Sequence, residues 1–312
     1  MVAVVLAAAL ASGCAEAIRE AQPMPAELPV LSRLQTINGG FLATDVGPTG
    51  MPRRPGAGPY TRIVFPTAVS VSGSDVVIVD SGANTVYRFD AGLNALVPLR
   101  GAPAIAGVQV AIGGDLSIYV MDPNTARVLR FGRDGQLIRT YTNPQLLNRP
   151  IGFALRESRG ELVFADAVTQ QVVSLSTLGG SGFAVSPRLD PVLRIADVTA
   201  IAANDDHVCL SDRATATIRC IGRDGRQTAA FAAPTLAVPG PLAIDRDGHV
   251  FAVDLASGRL NVFSADGRVS VLTPAQLGIT RLAGLGVGTS QLAVADSAGG
   301  QVVLFQLRGG GG

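Results

Sequence analysis

The chain has 312 residues, 25 basic and 24 acidic side chains, 47 % hydrophobic and 16 % charged residues, 37 Gly, 19 Pro, and neither Trp nor Lys. A net charge of +1 with no basic run longer than a pair excludes the electrostatic footprint that a phosphate backbone demands, so no nucleic-acid partner is expected. Nearly half the chain is apolar, which excludes intrinsic disorder, because such a chain can bury enough surface to offset its conformational entropy.

Val2 to Ala11 is an uninterrupted apolar run of ten residues. That is too short for a membrane-spanning helix, which needs roughly 20, and it reads as the core of a secretory signal. The next residues, Ala11-Ser12-Gly13-Cys14, resemble the lipobox of bacterial lipoproteins, where small residues precede a Cys that is lipidated and becomes the first mature residue. The resemblance implies a signal peptide over 1–13, lipidation at Cys14, and an anchor in the bacterial outer membrane facing either the periplasm or the outside. An ordinary soluble signal peptide is the alternative. Residues 14–30 contain polar groups, carry three Pro and lack periodicity, which suits a flexible tether. Within the N-terminal segment 31–66, Gly47 to Pro59 is rich in turn formers and cannot supply a sheet ladder through its prolines.

From here a repeat organises the chain. Short apolar runs end in Asp80, Asp122, Asp166, Asp212, Asp254 and Asp296, at successive intervals of 42, 44, 46, 42 and 42 residues. A period of about 43 is the mark of a propeller or a solenoid. Six positions after each Asp stand Val86, Val128, Val172, Ile218, Leu260 and Val302; nine positions after stand Phe89, Phe131, Leu175, Ile221, Phe263 and Phe305. Four turn-like residues separate each Asp from position +5, so the two flanking strands are predicted to form an antiparallel hairpin pairing −1 with +6 and −4 with +9.

In that register one face collects Val76, Ile78, Tyr87 and Phe89, and the other Val77, Val79, Val86 and Arg88. Both faces are largely apolar in all six repeats, so both must be covered, as happens when blades stack around an axis. Asp134-Gly135, Asp224-Gly225 and Asp266-Gly267 mark the turn into an outer strand. Upstream, Ala68, Val110, Ala154, Ala200, Leu242 and Gly284 suit a crowded inner strand. The turn-closing Asp of each repeat is read as bonding nearby backbone amides, a structural role.

The segments VIVDSGANTVYRF (Val77 to Phe89) and YVMDPNTARVLRF (Tyr119 to Phe131) resemble the NHL repeat. The resemblance implies an all-β, six-bladed β-propeller of four-stranded antiparallel blades over 67–307. Too few residues follow Phe305 for a last outer strand, so a strand from within Leu31 to Phe65 is predicted to close the ring. Residues 308–312 are expected to be a disordered tail.

Cys209 and Cys220 fall at −3 and +8 of the fourth repeat, directly opposed in the predicted hairpin, within disulfide reach. A bridge is expected in an exported protein, the alternative being two buried thiols. The only histidines, His207 and His249, occupy the same repeat position and are expected at turn edges, without a metal role. The inner columns hold Thr67, Gln109, Phe153, Thr199, Pro241 and Ala283 where a catalytic propeller would place ligands or a base. Loop residues Asp190, Asp197 and Asp245 are the remaining acidic candidates. No catalytic residue, metal or cofactor is therefore assigned. The favoured reading is a lipid-anchored scaffold that binds another envelope protein. The alternative is a metal-dependent hydrolase or lyase of the gluconolactonase or lyase-like six-bladed type, which rests on analogy of fold.

Overall fold

A computed structural model describes residues 28–177, 183–185, 197–264 and 266–308. The signal peptide, Cys14, most of the tether, Asp190, the Gly-rich stretch 178–182 and the glycines 309–312 lie outside the described residues.

The chain opens with β1 (Val30–Ile37), β2 (Gly39–Leu42) and β3 (Tyr60–Arg62). Blade 1 is β4 (Pro66–Ser72), β5 (Asp75–Asp80), β6 (Thr85–Asp90) and β7 (Ala95–Pro98); blade 2 is β8 (Gln109–Ile112), β9 (Ile118–Asp122), β10 (Arg127–Phe131) and β11 (Leu137–Thr142). Blade 3 is β12 (Pro150–Arg156), β13 (Glu161–Asp166), β14 (Val172–Ser176) and β15 (Phe183–Val185). Blade 4 is β16 (Val198–Ala203), β17 (Val208–Asp212), β18 (Thr217–Ile221) and β19 (Gln227–Phe231). Blade 5 is β20 (Pro239–Ile244), β21 (Val250–Asp254), β22 (Leu260–Phe263) and β23 (Val269–Leu272). After the short α1 (Pro274–Leu277), blade 6 is β24 (Leu282–Val287), β25 (Gln291–Asp296), β26 (Gln301–Arg308) and, returning from the start of the chain, β1.

The hairpin register follows the Asp period. Val79 faces Val86 and Val76 faces Phe89 in blade 1. The same offset pairs Met121 with Val128, Ala165 with Val172, Ser211 with Ile218, Val253 with Leu260 and Ala295 with Val302. The turn is closed by a left-handed residue four places after each Asp: Asn84, Ala126, Gln170, Ala216, Gly258 and Gly300, with φ between 50° and 67°.

Each blade is apolar on both sides because it is packed on both sides. Val76, Ile78, Tyr87 and Phe89 share a cluster with Ala293, Ala295, Val302 and Leu304 of blade 6. Across the same sheet, Val77, Val79 and Val86 join Ile118, Val120 and Phe131 of blade 2. The other four seams repeat the pattern: Met121 with Phe164, Val163 with Leu210, Cys220 with Phe263, and Phe251 with Leu292. Burying a large aliphatic or aromatic side chain contributes about 1.5–3 kcal/mol, so these six seams are the main source of the fold's stability. Inner strands converge most tightly between blades 6 and 1. A Cβ at Gly286 of β24 would lie 2.5 Å from the Val69 carbonyl oxygen, so no side chain fits there.

Closure is made by β1, which runs antiparallel to β26 from Val30 opposite Arg308 to Ile37 opposite Val302. The N-terminal segment does more than close the ring. Strand β2 adds to the outer edge of blade 1, parallel to β7, and β3 adds to β2, so the first sheet has six strands. The irregular loop that follows β2 is pinned by charge. Fully buried Arg88 donates to the Gly50 carbonyl oxygen at 2.5 Å and pairs with Asp75 and Asp90, while Arg133 of blade 2 reaches Asp75 at 3.2 Å. Removing one partner from such a buried network costs about 3–5 kcal/mol, because a desolvated charge is left alone.

Candidate functional site

The ring has two rims. One carries the turns that follow the column Asp residues, together with the loops that lead into each inner strand. The other carries the turns between inner and second strands.

On the first rim each column Asp serves the backbone. Asp80 accepts N–H bonds from Gly82 and Ala83 in its own turn and from Val64 and Phe65 in the loop leading into β4. Asp166 holds Val168 and Thr169 as well as Asn148 and Arg149. Asp296 holds Gly299 with Thr280 and Arg281, Asp254 holds Ser257 with Val238, and Asp212 holds Ala214 with Asp197. Asp122 bonds Asn124 and Thr125 of its own turn. Burial alone would raise the carboxyl groups of Asp166, Asp254 and Asp296, yet the converging N–H donors outweigh it and hold all three below the ordinary value. They are loop clamps kept ionised, not a ring of free carboxylates.

The same rim also exposes apolar side chains. Val64 and Phe65 before β4, Ile105 before β8, Val168 after β13 and Leu255 after β21 are each between 40 and 57 % exposed. Arg149, Arg259 and Arg281 stand exposed among them.

The second rim opens into an axial cavity of about 620 Å³, walled by inner strands of all six blades. The inner strands line it with apolar Val110, Leu155, Leu285 and Val287 and with Ser70 and Ser72. Its mouth is one-sided: Glu157 and Ser158 of blade 3, Asn204, Asp205, Asp206 and Arg223 of blade 4, and Arg246 of blade 5. Glu157 accepts the Gly114 N–H at 2.5 Å and Asp205 the Ser158 N–H at 3.1 Å. Arg156, almost wholly buried, crosses from blade 3 to the Asn204 and Asp205 carbonyl oxygens and pairs with Glu161 at 3.1 Å. Arg223 pairs with Asp206. Glu157, Ser158, Asn204, Asp205 and Arg246 stand seven to nine places before the column Asp of their repeat, Asp206 six before and Arg223 eleven after, all outside the inner-strand columns that the sequence pattern singles out. The signal available was the change from Ser72-Gly73 in blade 1 to Glu157-Ser158, Asn204-Asp205 and Arg246-Asp247 in blades 3 to 5.

The histidines stand at turn edges as expected, directly before β17 and β21. Both are buried, at 4 % and 3 % exposure. His249 Nδ1 lies 2.7 Å from Asp245 Oδ2, while the other Asp245 oxygen accepts the His249 backbone N–H at 2.8 Å, so the turn itself supplies the partner that permits burial. Asn204 takes the backbone N–H of His207 at 2.7 Å. Burial pushes the His207 ring's pKa down, Asp206 opposes this, and Arg156 and Arg223 add to it. Asp245 is thereby committed to His249, and Asp197 pairs with Arg213 at 2.7 Å. Among the described residues no group of three or more His, Cys, Asp or Glu could hold a metal ion. Cys209 and Cys220 form a disulfide across β17 and β18, fully buried at the seam between blades 4 and 5.

No family model matches the chain, and no curated protein matches it in sequence. Solved structures do match in fold. A structural-genomics protein of unknown function from Bacteroides thetaiotaomicron superposes with a TM-score of 0.64 at 13 % identity, over 92 % of this chain and 84 % of that one. A gluconolactonase from Xanthomonas campestris gives 0.58 at 15 % identity, over 93 % and 99 %. Virginiamycin B lyase from Staphylococcus aureus gives 0.54 at 15 % identity, over 76 % and 79 %. At such identities the likeness is one of fold, and the chain is a six-bladed β-propeller.

Proposed function

We propose that this chain is a lipid-anchored envelope scaffold, an NHL-like propeller that binds another envelope protein without catalysing a reaction. The observation that carries the reading is the exposure of Val64, Phe65, Ile105, Val168 and Leu255 in loops of four blades on the rim whose carboxylates are consumed by its own backbone. Exposed apolar groups fringed by arginine suit a protein surface with an apolar centre and acidic edge. The lipobox resemblance at Cys14 supplies the membrane anchor, and the outer membrane is the proposed location.

Crosslinking in intact cells, followed by purification of the chain and mass spectrometry, tests the reading. A specific envelope protein is expected with the wild type, and at least about tenfold less of it with the double variant Phe65→Glu, Leu255→Glu, whose charges a desolvated contact would not tolerate. Equal recovery with both chains would sink the proposal. Divalent-ion-dependent turnover of gluconolactone or virginiamycin B would replace it with the hydrolase or lyase alternative, which rests on likeness of fold to the gluconolactonase and lyase neighbours.

A further inference from the structure

We propose that the axial cavity binds a small zwitterion with an apolar body, namely a free hydrophobic amino acid or a short apolar peptide carrying both its termini. The inference is independent of the scaffold reading, which concerns the other rim.

The charges at the mouth divide into two sets. Arg223 with Asp206, and Arg156 with Glu161, neutralise each other within the protein. Glu157, Asp205 and Arg246 do not: among the described residues no basic group lies within 4.0 Å of either carboxylate, and no carboxylate within 4.0 Å of the Arg246 guanidinium. The two carboxylates are nevertheless held in place. Glu157 is tied by one oxygen to Gly114 and Asp205 by one oxygen to Ser158, and Arg156 grips the Asp205 main chain at 2.7 Å. Each keeps acceptor capacity for a donor from outside.

The sign of the charge is laid out by blade. Blades 3 and 4 present the carboxylates, and blade 5 presents the guanidinium. A plain cation would leave Arg246 unanswered, and a plain anion would meet two like charges. An ammonium group toward Glu157 and Asp205 and a carboxylate toward Arg246 satisfy all three. Below them the inner strands contribute partly exposed Val110, Leu155, Leu285 and Val287, so an aliphatic or aromatic side chain that covers them removes apolar surface from water. The volume of about 620 Å³ falls within the range of small-molecule sites.

Isothermal titration calorimetry on the purified chain at neutral pH decides the matter, with leucine, leucyl-leucine and N-acetyl-leucinamide as probes. Saturable binding of leucine or leucyl-leucine is expected, with no binding of the acetylated amide, which has lost both charges. Asp205→Asn and Arg246→Ala are each expected to weaken binding by about fivefold, the scale of a partly exposed ion pair. Ala154→Phe, which fills the throat, is expected to abolish binding while the circular dichroism spectrum is kept. If Ala154→Phe does not fold, the two mouth variants carry the test. The proposal is overturned by absence of saturable heat with both zwitterions, by equal binding of the acetylated amide, or by binding insensitive to both mouth substitutions.

Discussion

Four places after each column Asp the backbone turns left-handed, and the residues that do so are unequally suited to it. Gly258 and Gly300 adopt that conformation freely and Asn84 tolerates it, whereas Ala126, Gln170 and Ala216 hold φ of 50° to 52° against their Cβ. Ala216→Gly is therefore expected to stabilise the fold by about 1 kcal/mol, read as a rise in the urea midpoint with unchanged slope. A destabilised variant would show that the alanine contributes packing that outweighs its strain.

Protonation acts on the same scale. The His207 ring has a lower pKa in the fold than in the unfolded chain, so acidification through its ordinary 6.5 charges the unfolded chain first and draws the equilibrium toward it. The carboxyl groups of Asp166, Asp254 and Asp296 are depressed in the fold; the stability they contribute is complete above the ordinary 3.8 and is lost as pH falls below it toward their folded values. Thermal denaturation against pH should accordingly fall in two stages, the first starting near 6.5 and the second below 3.8. His207→Gln should remove the first stage alone; a wild-type profile flat from 6.5 down to 3.8 would contradict the burial of that ring.

At the scale of the element, the central hairpins were legible in the sequence because one constraint, burial on both faces, writes itself into consecutive residues of both strands. Val76, Val77, Ile78 and Val79 have no polar member, and only a strand between two neighbours reads that way. The disulfide followed from the same register, since Cys209 and Cys220 are an opposed pair. What stayed hidden has contacts that the local pattern does not encode. Strand β2 is held by β7, distant in sequence, and β3 by β2, and Gly39-Gly40 offers no alternation to read. Arg88 stands in an otherwise apolar face and is buried there because Asp75, Asp90 and the Gly50 carbonyl converge on it. The polar half of the axial mouth is built in turns, where composition alone does not say which side chains meet.

For the molecule as a whole, the six seams form a circle, and no blade has a free flank to lose. Opening that circle at its one non-sequential join should be felt everywhere. Deleting residues 28–38, which removes β1, leaves the β26 edge bare and strips cover from Leu304 and Phe305. The truncated chain is expected to lose its single cooperative transition, or to melt more than about 10 °C lower, by calorimetry. Melting like the full chain would mean that the other five seams suffice.

The pairing of Val30 with Arg308 has one more consequence. The first and last strands are already a hairpin lacking only its bend, so the two ends of the described chain are neighbours in space. A circular permutant, with that bend supplied by a short linker and new termini cut in an exposed loop such as the one around Ile105, would keep every ladder hydrogen bond of the native ring. Where the polypeptide begins is thus a convenience of the gene, and the circle itself has no first blade.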